Sequence, residues 1–506
     1  MNYEREKAMY YIGVDLGTSA VKLLLMEEDG RILNMVSREY PISFPRPSWS
    51  EQKPEDWWQQ TREGIRDLLR DYDRGLVGGI SFGGQMHGLV VLDREDQVIR
   101  PAILWNDSRT TEETEYLNEE VGRDFLSGHT GNIAFAGFTA PKILWMKKRE
   151  PENFARIHRI MLPKDYLVYR MTGVHATDVS DASGTLLLDV RNRTWSKEML
   201  AICGIRENML PRLYESYDCI GKIRPDIAKE LSLPENVRVA AGAGDNAASA
   251  LATGTVGEGK CNLSLGTSGT LFISSDHFHL DESNALHSFC DASGRYHLMG
   301  CMLSAASCNK WWTEEILGET DYAGVQSRVD EKRLGENPVF YLPYLMGERS
   351  PLNDPYARAC FVGMTMDSGQ ADLTQAVLEG VAFACRDMLE TARKQGLVID
   401  RSRLVGGGAK SGLWQKILAN VLNLKLDLLE TEEGPSLGAA MLAAVACGKY
   451  PDPKEAARAI VRVKKTIAPD PDLAAKYQRQ YEKFSGLYPA LKGTFRALVG
   501  SMSCDK

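Results

Sequence analysis

No apolar run in this chain is long enough to cross a bilayer: the longest, near Leu437 to Cys447, falls short of the roughly 20 residues a spanning helix needs. No basic run exceeds Lys147-Lys148-Arg149, and 60 basic against 68 acidic residues leave a formal charge of -8. Neither nucleic acid nor a membrane surface is therefore an expected partner, and a small anionic ligand needs only a local basic site. The ten cysteines include no C-x-x-C pair and no close Cys/His cluster. That removes a disulfide framework and a zinc site, and it suits a reducing cytosol. The G-x-x-x-x-G-K-[ST] of a P-loop is missing, and the triplet Gly406-Gly407-Gly408 does not continue as G-x-G-x-x-G, so P-loop and dinucleotide readings fail. With a charged start, MNYEREKAMYY, the expectation is a soluble, cytoplasmic protein.

What is present is bulk. The 506 residues, 43 % apolar and 25 % charged, exceed what one core accommodates, so two large domains are expected. The stretch from Val237 to Gly254, VRVAAGAGDNAASALATG, reads as a buried strand, a turn at Gly242 and Gly244, and a small-residue helix. Asp245 and Asn246 stand at the joint. Taken alone, Asp245 is a helix N-cap; the ends of strands in open α/β sheets are also where chemistry gathers.

Residues 10 to 26 read as a strand ending in Asp15, a turn at Gly17 and a second strand from Val21 to Met26. The hydroxyls of Thr18 and Ser19 and the N–H groups of that turn suit phosphate oxygens, with a plain hairpin tip as the alternative. The same LGTS returns at 265–268 ahead of another apolar strand, which suggests an internal duplication. The copies differ in one respect: Asp15 precedes the first turn and Ser264 the second. One carboxylate suffices to hold a hydrated Mg²⁺ beside phosphates, and a second would repel them.

Between these landmarks, Pro54, Glu55 and Asp56 open a helix whose buried stripe is Trp57, Thr61, Ile65 and Leu68/Leu69. Val77 to Phe82 reads as a strand running into Gly83, Gly84, Gln85, Met86, His87 and Gly88. The glycines let a ligand approach the backbone, and Gln85 and His87 offer donors and acceptors for a polyol; a structurally satisfied His is the alternative. Trp105 beside Asn106 and Asp107 suits the C–H faces and hydroxyl edges of a sugar, while Asp107 and Arg109 read equally as an internal ion pair. Thr139, Lys142 and Trp145 have helical spacing. LPKDYL (162–167) and residues Asp178 to Ser183 fit a loop lining a cleft. Arg349 reads as a phosphate ligand or as a loop-fixing partner of Glu348. Leu404, Val405 and GGGAKSGLWQ (406–415) read as strand, glycine turn and helix, a way to lay backbone against an adenosine. Leu473, Tyr477, Tyr481, Phe484 and Tyr488 are spaced as one amphipathic terminal helix.

PSWSEQKPEDWWQ (47–59), FGGQMHG (82–88), RPAILWNDSRT (100–110), GFTAPKILWM (137–146), LPKDYL, GDNAA (244–248), LPYLMGERSP (342–351) and GGGAKS (406–411) together resemble, in order, the FGGY carbohydrate kinases. Within them the chain is most similar to the branch that phosphorylates xylulose. The resemblance implies an α/β fold of two related actin-like (ribonuclease H-like) domains around a deep interdomain cleft. Residues 1–254 would form the sugar and phosphate side, residues 255–450 the adenine side, and residues 451–506 a helical extension packed on the second domain. It implies that ATP, with Mg²⁺ on Asp15, phosphorylates the primary 5-hydroxyl of D-xylulose, another ketose or a polyol being the alternative. Asp245 is then the proton acceptor, and Met86, His87, Trp105, Asp107 and Asn246 face the sugar. Thr18, Ser19, Lys22, Gly266, Thr267 and Ser268 grip phosphates, while Gly407, Gly408, Ala409, Lys410 and Gln415 hold the adenosine end with Trp414 behind. An actin- or chaperone-like nucleotide switch leaves QMHG and LWND unexplained. A homodimer stays open.

Overall fold

The computed structural model describes residues 8–502. Two seven-stranded sheets divide the chain between them. In the first, Tyr10–Leu16 pairs antiparallel with Ala20–Glu27, which pairs antiparallel with Ile32–Glu39. On its other side Tyr10–Leu16 runs parallel to Val77–Gly84, and that strand runs parallel to Arg238–Ala240. The second sheet repeats this plan. Cys261–Leu265 pairs antiparallel with Gly269–Ser275, which meets Tyr296–Met302, and on its other side it runs parallel to Arg401–Val405 and then Lys425–Leu429. The repeated LGTS thus marks two copies of one sheet topology, and the expected pair of related α/β domains is what the chain forms. The central strands, with Ile12, Val14 and Leu16 or Leu263 and Leu265 fully buried, are covered on both faces, as parallel neighbours require.

The Pro54–Leu68 helix starts as its residues dictate, with Pro at its first turn and Glu55 and Asp56 at the positive end of the dipole. It lays Trp57, Thr61, Ile65 and Leu68 against the first sheet. Gly434–Ala446 behaves differently from its place in sequence. Although it lies within 255–450, it packs against Tyr10–Leu16, Val77–Gly84 and the Asp245–Ala252 helix, crossing back to the first domain. Small residues make the crossing possible: a Cβ on Gly13 would meet Ser436 O at 1.8 Å, and one on Gly438 would meet Ala248 O at 1.9 Å.

Three further points of the structure differ from the sequence reading. LPKDYL opens a helix, Pro163–Thr172, and Asp178–Ser183 forms a strand end and a helical turn, with every residue of both segments buried instead of forming an open loop. The last 56 positions are more than a helical extension. Val463–Ile467 adds an edge strand to the second sheet, and Pro453–Ile460 packs on Gly434–Ala446. The terminal amphipathic helix is two, Pro471–Phe484 and Leu487–Met502, separated at Ser485 and Gly486. No helix among the described residues is long and apolar enough to cross a membrane.

Candidate functional site

Asp15 stands near the end of the first strand, 8 % exposed, opposite Lys22 on one neighbouring strand and Gly83 on the other. Burial first, and then the charge of Asp245, push its carboxyl up to about 7, with Lys22 pulling the other way. Lys22 itself is exposed; it serves here as the counter-charge of Asp15. The turn beyond is pinned from below. Gly17 N donates to Ala20 O, Gln52 Nε2 to Thr18 O at 2.7 Å, and Tyr40 OH to Gly17 O. Its upper side carries Thr18 and the exposed Ser19. Trp105, 46 % exposed, donates from Nε1 to Thr18 Oγ1 at 2.9 Å, joining the expected sugar wall to the expected phosphate turn.

The Val77–Gly84 strand delivers Gln85, Met86 and His87 beside this turn. His87 adopts a left-handed backbone, φ 70°, an unusual state for a bulky residue that marks a fixed loop. Its carbonyl is held by Thr139 Oγ1 at 3.1 Å and Lys142 Nζ at 2.9 Å, which gives Lys142 a structural task. Its ring stacks on Phe138 with centroids 4.6 Å apart. Nδ1 lies 2.7 Å from Gly184 O; because a carbonyl only accepts, Nδ1 carries the proton and Nε2 keeps its lone pair. Burial holds the ring down to about 3, so it is a neutral acceptor at physiological pH. Met86 is only 5 % exposed and packs on Gly244 and Gly184, its sulfur 4.0 Å from Asn246 Nδ2. It shapes the wall from behind.

Asp107 does not face the cleft. It is 1 % exposed, and its carboxylate accepts from Ser50 N at 2.6 Å and from Arg109 Nη2 at 2.6 Å. Arg109 also pairs with Glu51 at 2.8 Å and lies 3.7 Å over the Trp49 ring. The ion-pair reading is therefore the right one, and Asp107 has no free oxygen edge for a sugar.

Asp245 is the first residue of the Asp245–Ala252 helix and Gly244 occupies the cap, so the carboxylate is one position past an N-cap. The helix starts at a glycine because Met86 Cγ lies 3.0 Å from where a Cβ on Gly244 would stand. Oδ1 of Asp245 accepts from Asn246 N at 2.7 Å and Asn246 Nδ2 at 3.1 Å, while Oδ2 has no hydrogen-bond partner among the described residues. Burial raises this carboxyl to about 6, against the lowering effect of the Asn246 N–H. Asn246 lines a cavity of about 250 Å³ together with Ser264, Thr270 and Gly406 of the second domain. The joint in the first domain thus opens onto the second.

On the second domain, Thr267 and Ser268 are exposed at the tip of their hairpin. Ala305 N and Ser307 Oγ donate to Thr267 O at 3.0 and 2.8 Å, fixing the tip from beneath. Gly266 and Thr267 form one end of a cavity of about 600 Å³ whose floor is Gly407, Gly408, Lys410 and Trp414 and whose far wall includes Asn309, Tyr322 and Gln326. Ala409 and Gln415 lie behind that floor: Gln415 Nε2 donates to Ala409 O at 2.7 Å, so they support the turn without facing the cavity. Glu348 accepts from the backbone N–H groups of Leu303 and Arg349, and the Arg349 guanidinium lies 4.5 Å over Phe135 of the first domain. The residues that sequence reasoning left without a task are Ser180 and Gly184, whose contacts bind the cleft from below. The signal for Ser180 was the cluster of polar residues Asp178, Ser180, Asp181 and Ser183, and Gly184, just beyond it, carried none.

Duplicated hairpin turns, the second at one end of a cavity large enough for a nucleoside, together with a carboxylate at Asp245 and a neutral His87 in the first domain, define a two-domain phosphotransferase. The chain belongs to the FGGY family of carbohydrate kinases: the model of that family's N-terminal domain matches residues 10–252 and that of its C-terminal domain residues 261–447. It is similar to a xylulose kinase from Escherichia coli, 41 % identical over 95 % of this chain and 99 % of that one. Among solved structures it is similar to a xyloylose kinase from Brucella ovis, 41 % identical with a TM-score of 0.92 over 96 % of this chain and 100 % of that chain. It also resembles a gluconate kinase from Lactobacillus acidophilus, 26 % identical with a TM-score of 0.92 over 97 % of this chain and 100 % of that chain.

Proposed function

We propose that the protein transfers the γ-phosphoryl group of ATP to the primary 5-hydroxyl of D-xylulose, giving D-xylulose 5-phosphate and ADP. The fold does not choose the sugar, since the gluconate and xyloylose kinases superpose equally well. The relatives at 41 % identity carry the choice. Residues 1–254 hold the sugar and the phosphate end and residues 255–450 the adenine end. The free cysteines fit a reducing compartment such as the cytoplasm.

The observation that carries the mechanism is Asp245, whose Oδ2 is open while Oδ1 is tied to Asn246. In phosphoryl transfer, positioning and charge stabilisation dominate. Asp245 orients the primary hydroxyl and takes its proton as the oxygen–phosphorus bond forms; the bond from the γ-phosphorus to the bridging oxygen breaks, and ADP leaves. His87 Nε2 accepts from a second sugar hydroxyl, Asn246 binds another, and Trp105 supplies an apolar face. Thr18, Ser19, Gly266, Thr267 and Ser268 grip the phosphates, and Gly407, Gly408 and Lys410 face the adenosine. Among the described residues no three His, Cys, Asp or Glu side chains converge as a metal cage. A single carboxylate, Asp15, with oxygen donors from phosphates and water is a donor set that fits Mg²⁺, and when bound Mg²⁺ neutralises charge on the phosphates. Asp245→Asn is the test. General-base help is worth about 10²- to 10⁴-fold, so a variant keeping more than a tenth of the wild-type kcat refutes the assignment. A coupled ATP-consumption assay over ketoses and polyols tests the sugar, and a preference for anything but D-xylulose refutes that part.

A further inference from the structure

The turn that carries Asp245 is built from Gly242, at φ 85°, and Gly244, the backbone least able to define its own conformation. Something outside the turn must fix it. The contacts that do so converge on Asp178. Gly244 N donates to Ser180 Oγ at 3.1 Å, and Gly242 N donates to Ser216 O at 3.0 Å. Both serines donate their hydroxyls to Asp178 Oδ2, Ser216 at 2.8 Å. Oδ1 of Asp178 lies 2.9 Å from Lys164 Nζ, which also meets Asp165 at 2.7 Å and Asp181 at 3.6 Å, all four side chains at most 1 % exposed. Burial opposes the Lys164 charge, but the three carboxylates outweigh it and hold its pKa raised. The same turn continues to Ser183, which accepts from Cys290 N of the second sheet at 3.0 Å, and to Gly184, whose carbonyl fixes His87.

We propose that this buried cluster is the positioning element of the reaction: Lys164 orients Asp178, Asp178 orients Ser180 and Ser216, and they set the glycine turn from which Asp245 reaches the substrate hydroxyl. Such a device suits its cost. A buried ionic group is poor at adding stability and is suited to specifying one conformation. The inference rests on Asp245 being the proton acceptor, and the experiment separates the two claims.

Ser180→Ala removes the acceptor for Gly244 N and leaves the Lys164–Asp178 pair in place. Because a displacement of about 1 Å at the reacting group can cost about 100-fold, kcat is expected to fall about 10- to 100-fold, with KM for ATP changed less than about twofold. Ser180→Thr, which keeps the hydroxyl, restores most of the rate. Thr61→Val removes an equally buried hydroxyl from the Pro54–Leu68 helix, and is expected to lower the melting temperature comparably with kcat unchanged. Ser216→Ala, which strips the other side of Asp178, lowers kcat in the same sense and serves if Ser180→Ala does not fold. In an Asp245→Asn background, Ser180→Ala adds less than about twofold, because changes acting through one group are not additive. A serine variant with kcat within twofold of wild type, or losses that multiply in the double variant, overturns the inference. An active Asp245→Asn overturns the acceptor assignment instead and is seen independently.

Discussion

Gly438→Ala adds one methyl group at a point where the two halves of the molecule approach backbone to backbone, and it should damage both folding and turnover. The added Cβ would stand 1.9 Å from Ala248 O and 2.6 Å from Ala248 C, more than 1 Å inside any relaxed carbon contact. The Gly434–Ala446 helix cannot retreat, because its Ser436 O already occupies the space beside Gly13. The Asp245–Ala252 helix must therefore yield. Overpacking of this kind costs about 1–3 kcal/mol, and with backbone on both sides the upper end applies. Ala248 lies one turn beyond Asp245, so a shift of about 1 Å reaches the carboxylate and costs up to about 100-fold in kcat. Thermal unfolding at a fixed scan rate, with steady-state kinetics on the same preparation, reads both effects. Gly493→Ala is the control: it is exposed in the Leu487–Met502 helix with nothing within 4 Å, and replacing Gly by Ala there adds about 1 kcal/mol of helix stability. If Gly438→Ala melts and turns over like wild type, the helix is not wedged as described.

Two further outcomes test the site. Asp107→Asn should lower the melting temperature sharply, since it leaves Arg109 buried with a weakened partner and breaking a buried pair costs about 3–5 kcal/mol; a raised KM for the sugar without loss of stability would return Asp107 to the substrate. In the pH profile, the proposed role of Asp245 requires its carboxylate, and burial raises its pKa to about 6, so the competent form prevails above that pH. At saturating Mg²⁺ and ATP, kcat/KM for the sugar should fall about tenfold per unit below pH 6. His87, held down to about 3 by burial, should add no second step between pH 5 and 8, and a limb that disappears in His87→Asn would refute this.

The hairpins, the strand into Gly83-Gly84 and the helix at Pro54 were legible because each rests on a local pattern: an apolar run, a glycine turn, a proline with acids after it. Other features depended on residues far away in sequence. Asp107 read evenly as sugar ligand or ion pair until Glu51 and Trp49, more than fifty residues earlier, enclosed Arg109. Pro163 to Val168 showed no helical period because all six side chains are buried, and a helix covered all round has no polar face to reveal its repeat. The cap falls on Gly244, one residue before Asp245, where a Cβ would crowd the Met86 side chain at 3.0 Å, a contact no local rule contains.

The duplication also explains why the chemistry is one-sided. The sheet topologies make Asp15 and Ser264 equivalent, each at the end of the first strand of its hairpin. They make the Asp245–Ala252 and Gly434–Ala446 helices equivalent too, each following the outer parallel strand of its sheet, Arg238–Ala240 and Lys425–Leu429. In the first copy both positions carry a carboxylate. In the second they carry a hydroxyl and, at the helix start, Gly434 and Pro435. The second copy uses its equivalent helix for contact: with the small residues Ser436, Gly438 and Ala440 where it crosses Gly13 and Ala248, it locks against the helix that begins at Asp245. The copy that lacks a carboxylate at these two positions thus supplies the backing that holds the other copy's carboxylate in place, and for that reason a methyl group on Gly438 is expected to reach the chemistry.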